Sequence, residues 1–253
     1  IRQLNLAGAA LLGAGAERGK LVKRRLGIFV TAQSRTTFNA FLEKVFITGN
    51  NEDCEIMLLK EGHELCWVHL DAVCSEDRLE CRVVMKDITE RVRAEEALRH
   101  LSIHDALTGL YNRSFFVAEM ERLERGRQFP VSIVMADVDG LKHTNDQEGH
   151  AAGDARLKGV AQMFTTAFRT EDVVARIGGD EFAVLLPNTD ASSAKVLLGR
   201  VQYMIQGNNS THPETPILLS IGVSTAENPM PLPDVLKKAD VNMYLEKRGN
   251  DVS

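Results

Sequence analysis

Val173-Val-Ala-Arg-Ile-Gly-Gly-Asp-Glu-Phe-Ala-Val-Leu-Leu186 decides the fold of the second half of this 253-residue chain. Two apolar runs, 173–177 and 182–186, flank Gly178-Gly-Asp-Glu181, a pattern that predicts a β-hairpin with buried strands. Val131-Ser-Ile-Val-Met-Ala136 predicts a further buried strand and runs into Asp137-Val-Asp139. Between them, Leu157, Val160, Ala161, Phe164 and Phe168 recur at helical spacing, predicting a helix over 155–168. Downstream, Ala194, Leu197, Val201 and Ile205 mark a helix over 191–205. A strand over 217–221 and a helix over 232–247 follow. The order β-α-β-β-α-β-α predicts an α+β sheet with helices on one side rather than a doubly wound parallel sheet.

The first half holds shorter alternating runs. Segments 54–59, 66–73 and 79–85 predict three antiparallel strands, with turns at Gly62 and 75–78, after a helix over 38–46. Residues 87–101 are charged and free of Gly and Pro. Their apolar positions Val92, Ala94, Leu98 and Leu101 suit either a solvated connecting helix or a short dimeric coiled coil.

Length suits two domains, and a composition of 44% hydrophobic and 26% charged residues excludes a disordered or fibrous chain. The longest weakly polar stretch, 4–16, is too short for the roughly 20 apolar residues of a membrane span. The chain begins at Ile1 rather than Met, so the expectation is a piece of a longer protein, whose upstream targeting or membrane segment would not be visible. Cys54, Cys66, Cys74 and Cys81 contain no C-x-x-C pair, which points to reduced cytoplasmic thiols rather than a zinc site. Residues 1–100 balance 15 basic against 15 acidic side chains, whereas 101–253 carry 15 against 20. That acidic half argues against nucleic acid as a partner and suits carboxylates that gather a divalent metal.

If the hairpin and strand 131–136 are neighbours, Asp137, Asp139, Asp180 and Glu181 converge at one sheet edge without a histidine. All-oxygen donors suit Mg²⁺ or Mn²⁺, and magnesium held by one or two carboxylates completes its shell with phosphate and water, which implies a nucleotide. Alone, D-x-D reads as a surface turn and Gly-Gly-Asp-Glu as an ordinary hairpin.

These pieces stand in a longer series: Asp105-Ala-Leu-Thr-Gly-Leu-Tyr-Asn-Arg113, Ala136-Asp-Val-Asp-Gly-Leu-Lys-His-Thr-Asn-Asp146, Gly149-His-Ala-Ala-Gly-Asp154 and Arg176-Ile-Gly-Gly-Asp-Glu-Phe182. The set resembles the catalytic domain of the diguanylate cyclases, the GGDEF family, over residues 102–253. The resemblance implies a palm-like domain with a ferredoxin-like core. It implies a homodimer in which two GTP molecules condense into cyclic di-GMP with loss of pyrophosphate by two-metal chemistry. It assigns Asp137, Asp180 and the Val138 carbonyl to the metal, and Asp180 or Glu181 to deprotonation of the attacking hydroxyl. Gly140, Leu141 and Lys142 match phosphate contacts, and Gly178 and Gly179 would allow tight turn dihedrals and close approach of the triphosphate. Asn145 and Asp154 match guanine contacts, since an aspartate accepts from the N1–H and N2 amine that adenine lacks. His150 matches a nucleotide-proximal position, and Lys247 would reach phosphate. Arg169-Thr-Glu-Asp172 matches the family's R-x-x-D product-inhibition site, with Arg200 as a further arginine. The family's last helix ends G-R-N, whereas Asp251 replaces that arginine here, with Arg248 as a candidate substitute.

Residues 1–86 resemble a PAS sensor domain lacking its first strand, through Asn5-Leu-Ala-Gly-Ala-Ala-Leu-Leu-Gly13, the three-strand run and the exit Met85-Lys-Asp-Ile-Thr-Glu-Arg91. That implies an antiparallel sheet with helices on one face, joined by a helical linker, 87–101, to the catalytic half. No ligand is identifiable: Trp67 reads as core, and His63 and His69 as structural. A different class of function, a catalytically silent domain that binds cyclic di-GMP at Arg169 and Asp172 or senses GTP, is disfavoured because Asp137, Asn145, Asp154 and Gly178 to Glu181 are all present.

Overall fold

A computed structural model of the chain describes residues 1–14, 17–61 and 64–250. Gly62, His63, Asp251 and the end of the weakly polar 4–16 stretch lie outside the described residues. The chain divides into two compact units, Ile1–Leu98 and Arg99–Ser253.

The first unit holds α1 (Leu6–Leu11), α2 (Arg35–Thr48), β1 (Glu52–Leu59), β2 (Leu65–Cys74) and β3 (Cys81–Asp87), and the helix α3 (Thr89–Ile103) begins in it. The strands form one antiparallel sheet in the order β1-β2-β3. Strand β2 alternates in burial, so Cys66, Val68, Leu70 and Ala72 face a core completed by Phe38, Phe41 and Val45 of α2. Trp67 falls on the opposite, half-exposed face with His69, whose ring approaches Glu55 and Asp71, so the expectation of a core tryptophan is corrected by strand parity. The third strand starts at Cys81, not at Leu79. Hydrogen bonds from Ser75 N to Glu80 O (2.8 Å) and from Leu79 N to Asp77 Oδ1 (3.1 Å) keep Leu79 in the turn, 76% exposed. All four cysteines are free thiols.

The second unit continues with β4 (Tyr111–Asn112), α4 (Arg113–Arg125), β5 (Val131–Val138), α5 (Leu141–Glu148), α6 (His150–Ala167), β6 (Val173–Arg176), β7 (Glu181–Pro187), α7 (Ala191–Thr211), β8 (Leu219–Ala226) and α8 (Leu232–Asn250). The sheet order is β4-β6-β7-β5-β8, with β5 antiparallel to both neighbours. All eight residues of β5 are buried. Val134, Ala136 and Val138 meet Leu157, Val160 and Phe164 of α6 and Val201 of α7. Val131, Ile133 and Met135 meet Phe116 and Met120 of α4 and Val235, Ala239 and Met243 of α8. Helices therefore cover both faces, which corrects the one-sided expectation: a strand buried at every position needs cover on both sides.

The sequence reading passed over α4, although Phe116, Met120 and Leu123 recur at helical spacing and Asn112 Oδ1 caps Phe115 N at 3.0 Å. Strand β8 begins two residues later than expected. The Asn209 side chain accepts from Ile217 N and donates to Ile217 O, both at 2.8 Å, and so removes that residue from the ladder. No helix among the described residues is long and apolar enough to cross a membrane.

Candidate active site

Register brings the predicted carboxylates together. In the ladders of β5, Asp137 stands opposite Glu181 of β7 on one side and Ser220 of β8 on the other. Val138 N donates to Asp180 O at 3.0 Å, tying the hairpin turn to the end of β5. Asp137 and Glu181 have the parity of Met135 and Ala183, which places them on the α4/α8 face. Lys247, in the last turns of α8, therefore reaches Asp137: its Nζ donates to Asp137 Oδ1 at 2.6 Å.

That approach depends on Gly222 of β8. A Cβ there would lie 2.1 Å from both Ala239 O and Met243 N, so α8 rests directly on the β8 backbone. Glu246 Oε2 accepts from Ile221 N at 2.5 Å and fixes the same contact. Asp139, two residues beyond Asp137, accepts from Ser220 Oγ at 2.9 and 3.0 Å.

The electrostatics are those of crowded carboxylates. Burial raises the Glu181 carboxyl above the usual range, and Asp180, Asp137 and Asp240 raise it further, against Arg113 of α4. The hydrogen bond to Asp137 holds the Lys247 ammonium above the ordinary lysine value. Partial burial opposes this, while the charges of Asp137, Asp139 and Asp180 add to it.

Sequence reasoning missed three members of this neighbourhood. Arg176 Nη2 donates to Gly179 O at 2.7 Å while Nη1 contacts Asp105 Oδ1 at 3.1 Å, and Asp105 in turn caps Thr108. Arg113 and Asp240 bear on Glu181 only through the approach of α4 and α8.

The predicted turn glycines need correction. Neither Gly178 nor Gly179 has a positive φ; a Cβ on Gly178 would stand 2.5 Å from Glu181 Oε2, while Gly179 faces open space. Left-handed backbone occurs instead at Gly140 (φ 71°), which starts α5, and Gly149 (φ 85°), which separates α5 from α6. Helix α5 itself escaped the sequence reading because Leu141-Lys-His-Thr-Asn-Asp-Gln-Glu148 has no apolar period. Leu141 is buried, and Lys142 is exposed on its first turn. Asn145 packs its Oδ1 where a Cβ of Gly153 would be, 2.0 Å away, and is thereby held against α6 beside Asp154. Asp154 and His150 are exposed.

The R-x-x-D segment forms a separate place. Arg169, Asp172, His104, Tyr111 and Phe168 line one cavity of about 300 Å³. Asp172 is buried, its Oδ2 accepting from Arg169 N at 2.8 Å, and burial pushes its carboxyl up despite that bond. Arg200 is not among the residues of this cavity; its Nη2 donates to Thr166 O at 3.1 Å.

Among the described residues, no three His, Cys, Asp or Glu form a ready-made metal cluster. Asp137 and Asp180 nonetheless fit a hard cation of the magnesium type, which takes one or two carboxylates and draws the rest of its shell from phosphate and water. A buried carboxylate already paired with an ammonium is one that requires a cation.

Residues 102–251 match the family described as "Diguanylate cyclase, GGDEF domain". The chain is 34% identical over 169 residues to diguanylate cyclase DgcM of Escherichia coli, covering 65% of this chain and 40% of that protein. It is 32% identical over 176 residues to the probable diguanylate cyclase DgcE of Escherichia coli, covering 66% of this chain and 16% of that protein. It thus spans well under half the length of either. Among solved structures, the coiled coil and GGDEF domain of DgcB from Caulobacter crescentus, in complex with c-di-GMP, superposes with a TM-score of 0.56. That likeness has 28% identity and covers 63% of this chain and 88% of the other.

Proposed function

The chain belongs to the diguanylate cyclase GGDEF-domain family, and from that premise we propose that it is a sensor-regulated cyclase condensing two GTP into cyclic di-GMP. One observation carries the reading: Asp137, Asp180, Glu181 and Lys247 converge at one end of the sheet.

In this reading the guanine lies between Asn145 and Asp154, whose carboxylate accepts from N1–H and the N2 amine. The triphosphate runs over the amides of Gly140 and Leu141 and the Gly178–Gly179 turn, with Lys142, Lys247 and the nucleotide-proximal His150 along its path. The 3′-hydroxyl of one GTP attacks the α-phosphate of the other. An O3′–P bond forms, the α–β phosphoanhydride bond breaks, and pyrophosphate leaves. Asp180 or Glu181 takes the hydroxyl proton; Glu181, raised by its neighbours, holds a proton more readily than an ordinary glutamate. Asp137, Asp180 and the Val138 carbonyl would hold magnesium or manganese, which supplies charge neutralisation for the phosphates and acidifies the hydroxyl.

The reaction needs two sites facing each other, hence a homodimer. The unburied face of α3, where Leu98 is 66% and Leu101 61% exposed, supports a helical linker that pairs two copies. Residues 1–86 are assigned as the PAS-type sensor, and the cavity at Arg169 and Asp172, with Arg200 on the neighbouring helix, as the place of product inhibition. The setting is cytoplasmic, where GTP and reduced thiols are found.

The test is incubation of the purified chain with GTP and Mg²⁺, reading nucleotides by chromatography after stripping any co-purified cyclic di-GMP. Cyclic di-GMP and pyrophosphate are the expected products, and Asp180→Ala should abolish them while leaving the fold intact. Silence of the wild type with retained nucleotide binding would replace the enzyme by a binding module.

A further inference from the structure

Lys247 is assigned to phosphate by the family resemblance, and its ammonium here lies on Asp137, at 2.6 Å. We propose that Lys247 is a resident counter-cation for Asp137, displaced when metal and nucleotide enter together, so that this site takes its metal with the nucleotide rather than before it. The inference rests on the cyclase reading.

The argument begins with burial. Asp137 is 7% exposed, and a carboxylate so placed needs a partner charge within hydrogen-bond reach. Ser220 is spent on Asp139, and the opposite residue across the other ladder, Glu181, is itself acidic. Lys247 is the cation hydrogen-bonded to Asp137, and Asp139 and Asp180 also act on its charge. A divalent ion arriving alone would require Asp137 to give up this charge-assisted bond and would leave an ammonium beside a dication.

A triphosphate changes that balance by offering Lys247 another anion. The exchange makes and breaks no covalent bond: Asp137–Lys247 becomes Asp137–metal and Lys247–phosphate. Helix α8 is pinned by Gly222 and Glu246, so the movement belongs to the lysine side chain. That side chain is 36% exposed and has a flexible four-carbon stem, which gives it room to swing.

The experiment measures Mn²⁺ binding to the full chain by electron paramagnetic resonance of free Mn²⁺. It is run without nucleotide and with a GTP analogue whose α–β bridging oxygen is replaced by methylene. Lys247→Met should bind Mn²⁺ about tenfold more tightly than the wild type when nucleotide is absent, the scale of one charge-assisted hydrogen bond. The tightening that the analogue produces in the wild type should shrink in the variant, because the coupling between the two ligands runs through this side chain. Lys247→Arg, which keeps the cation, should stay near the wild type. Lys247→Gln asks the same question if the methionine variant misfolds. Unchanged or weaker Mn²⁺ binding by the neutral variants overturns the exchange. Failure of the wild type to bind the analogue at any Mn²⁺ concentration would instead defeat the cyclase reading, while the nucleotide-free comparison still decides the exchange.

Discussion

Arg176 and Asp105, 71 residues apart in the chain, pair at 3.1 Å with both side chains largely buried. The same guanidinium donates to the Gly179 carbonyl, so one side chain couples the 105–113 motif to the turn that carries Asp180 and Glu181. The β4–β6 ladder sets Asn112 opposite Arg176, and the Arg176 side chain carries that link on to the Gly179 carbonyl.

Asp105→Asn should therefore destabilise the chain by about 1–3 kcal/mol, read by urea unfolding, and lower turnover by loosening the turn. The pH dependence has a definite sign. Burial pushes the Asp105 carboxyl up, but its bonds from Thr108 and Arg176 outweigh that and hold it below the usual range. A lowered carboxylate stabilises above its unfolded pKa, about 4, and loses that contribution as pH falls through the folded value. The stability difference between wild type and variant should be flat at neutral pH and collapse on the acid side. A difference that persisted in acid would exclude the ionised pair as its cause.

Glu181 has the opposite sign. Its carboxyl is raised, chiefly by burial, so its ionised form is the strained one. Glu181→Gln should make the metal-free chain more stable at neutral pH. The advantage should vanish as pH falls below the ordinary glutamate value of about 4.3, where both states are protonated. Thermal midpoints across pH check this, and a loss of stability at neutral pH would contradict it.

Gly222→Ala should cost roughly 3 kcal/mol or more in unfolding free energy, because the methyl collides with the backbone of α8. The helix that carries Lys247 must move to admit it. Calorimetry supplies the measurement, and a neutral result would mean that α8 packs less closely on β8.

Arg169→Ala should relieve inhibition by added cyclic di-GMP while the initial rate with GTP is retained, since its cavity lies apart from Asp137 and Glu181. Initial rates against added product test this. Unchanged inhibition would move the regulatory site elsewhere.

The segments that carry the candidate carboxylates are legible in the sequence because they are local. The hairpin and the D-x-D end of β5 each follow from a few adjacent residues whose backbone preferences need no distant partner, whereas the R-x-x-D assignment rests on the family resemblance alone. The misreadings have a common origin. Helix α5 is polar throughout and shows no period, and Trp67 was read by residue type when strand parity set its face. The glycines of the hairpin were credited with dihedrals that Gly140 and Gly149 adopt.

The sequence by itself determined the family, the two-part organisation and the motifs that carry the carboxylates; their meeting depended on which strands are neighbours. Period-two and helical spacing, together with contiguous motifs, survive in one dimension. Only the tertiary structure decided that helices cover both faces of the second sheet, that Arg176 bridges Asp105 and Gly179, and that Lys247 rests on Asp137. Those pairings join residues 71 and 110 positions apart. They arise from sheet order and from the close seat of α8 on Gly222, which no local pattern of side chains encodes.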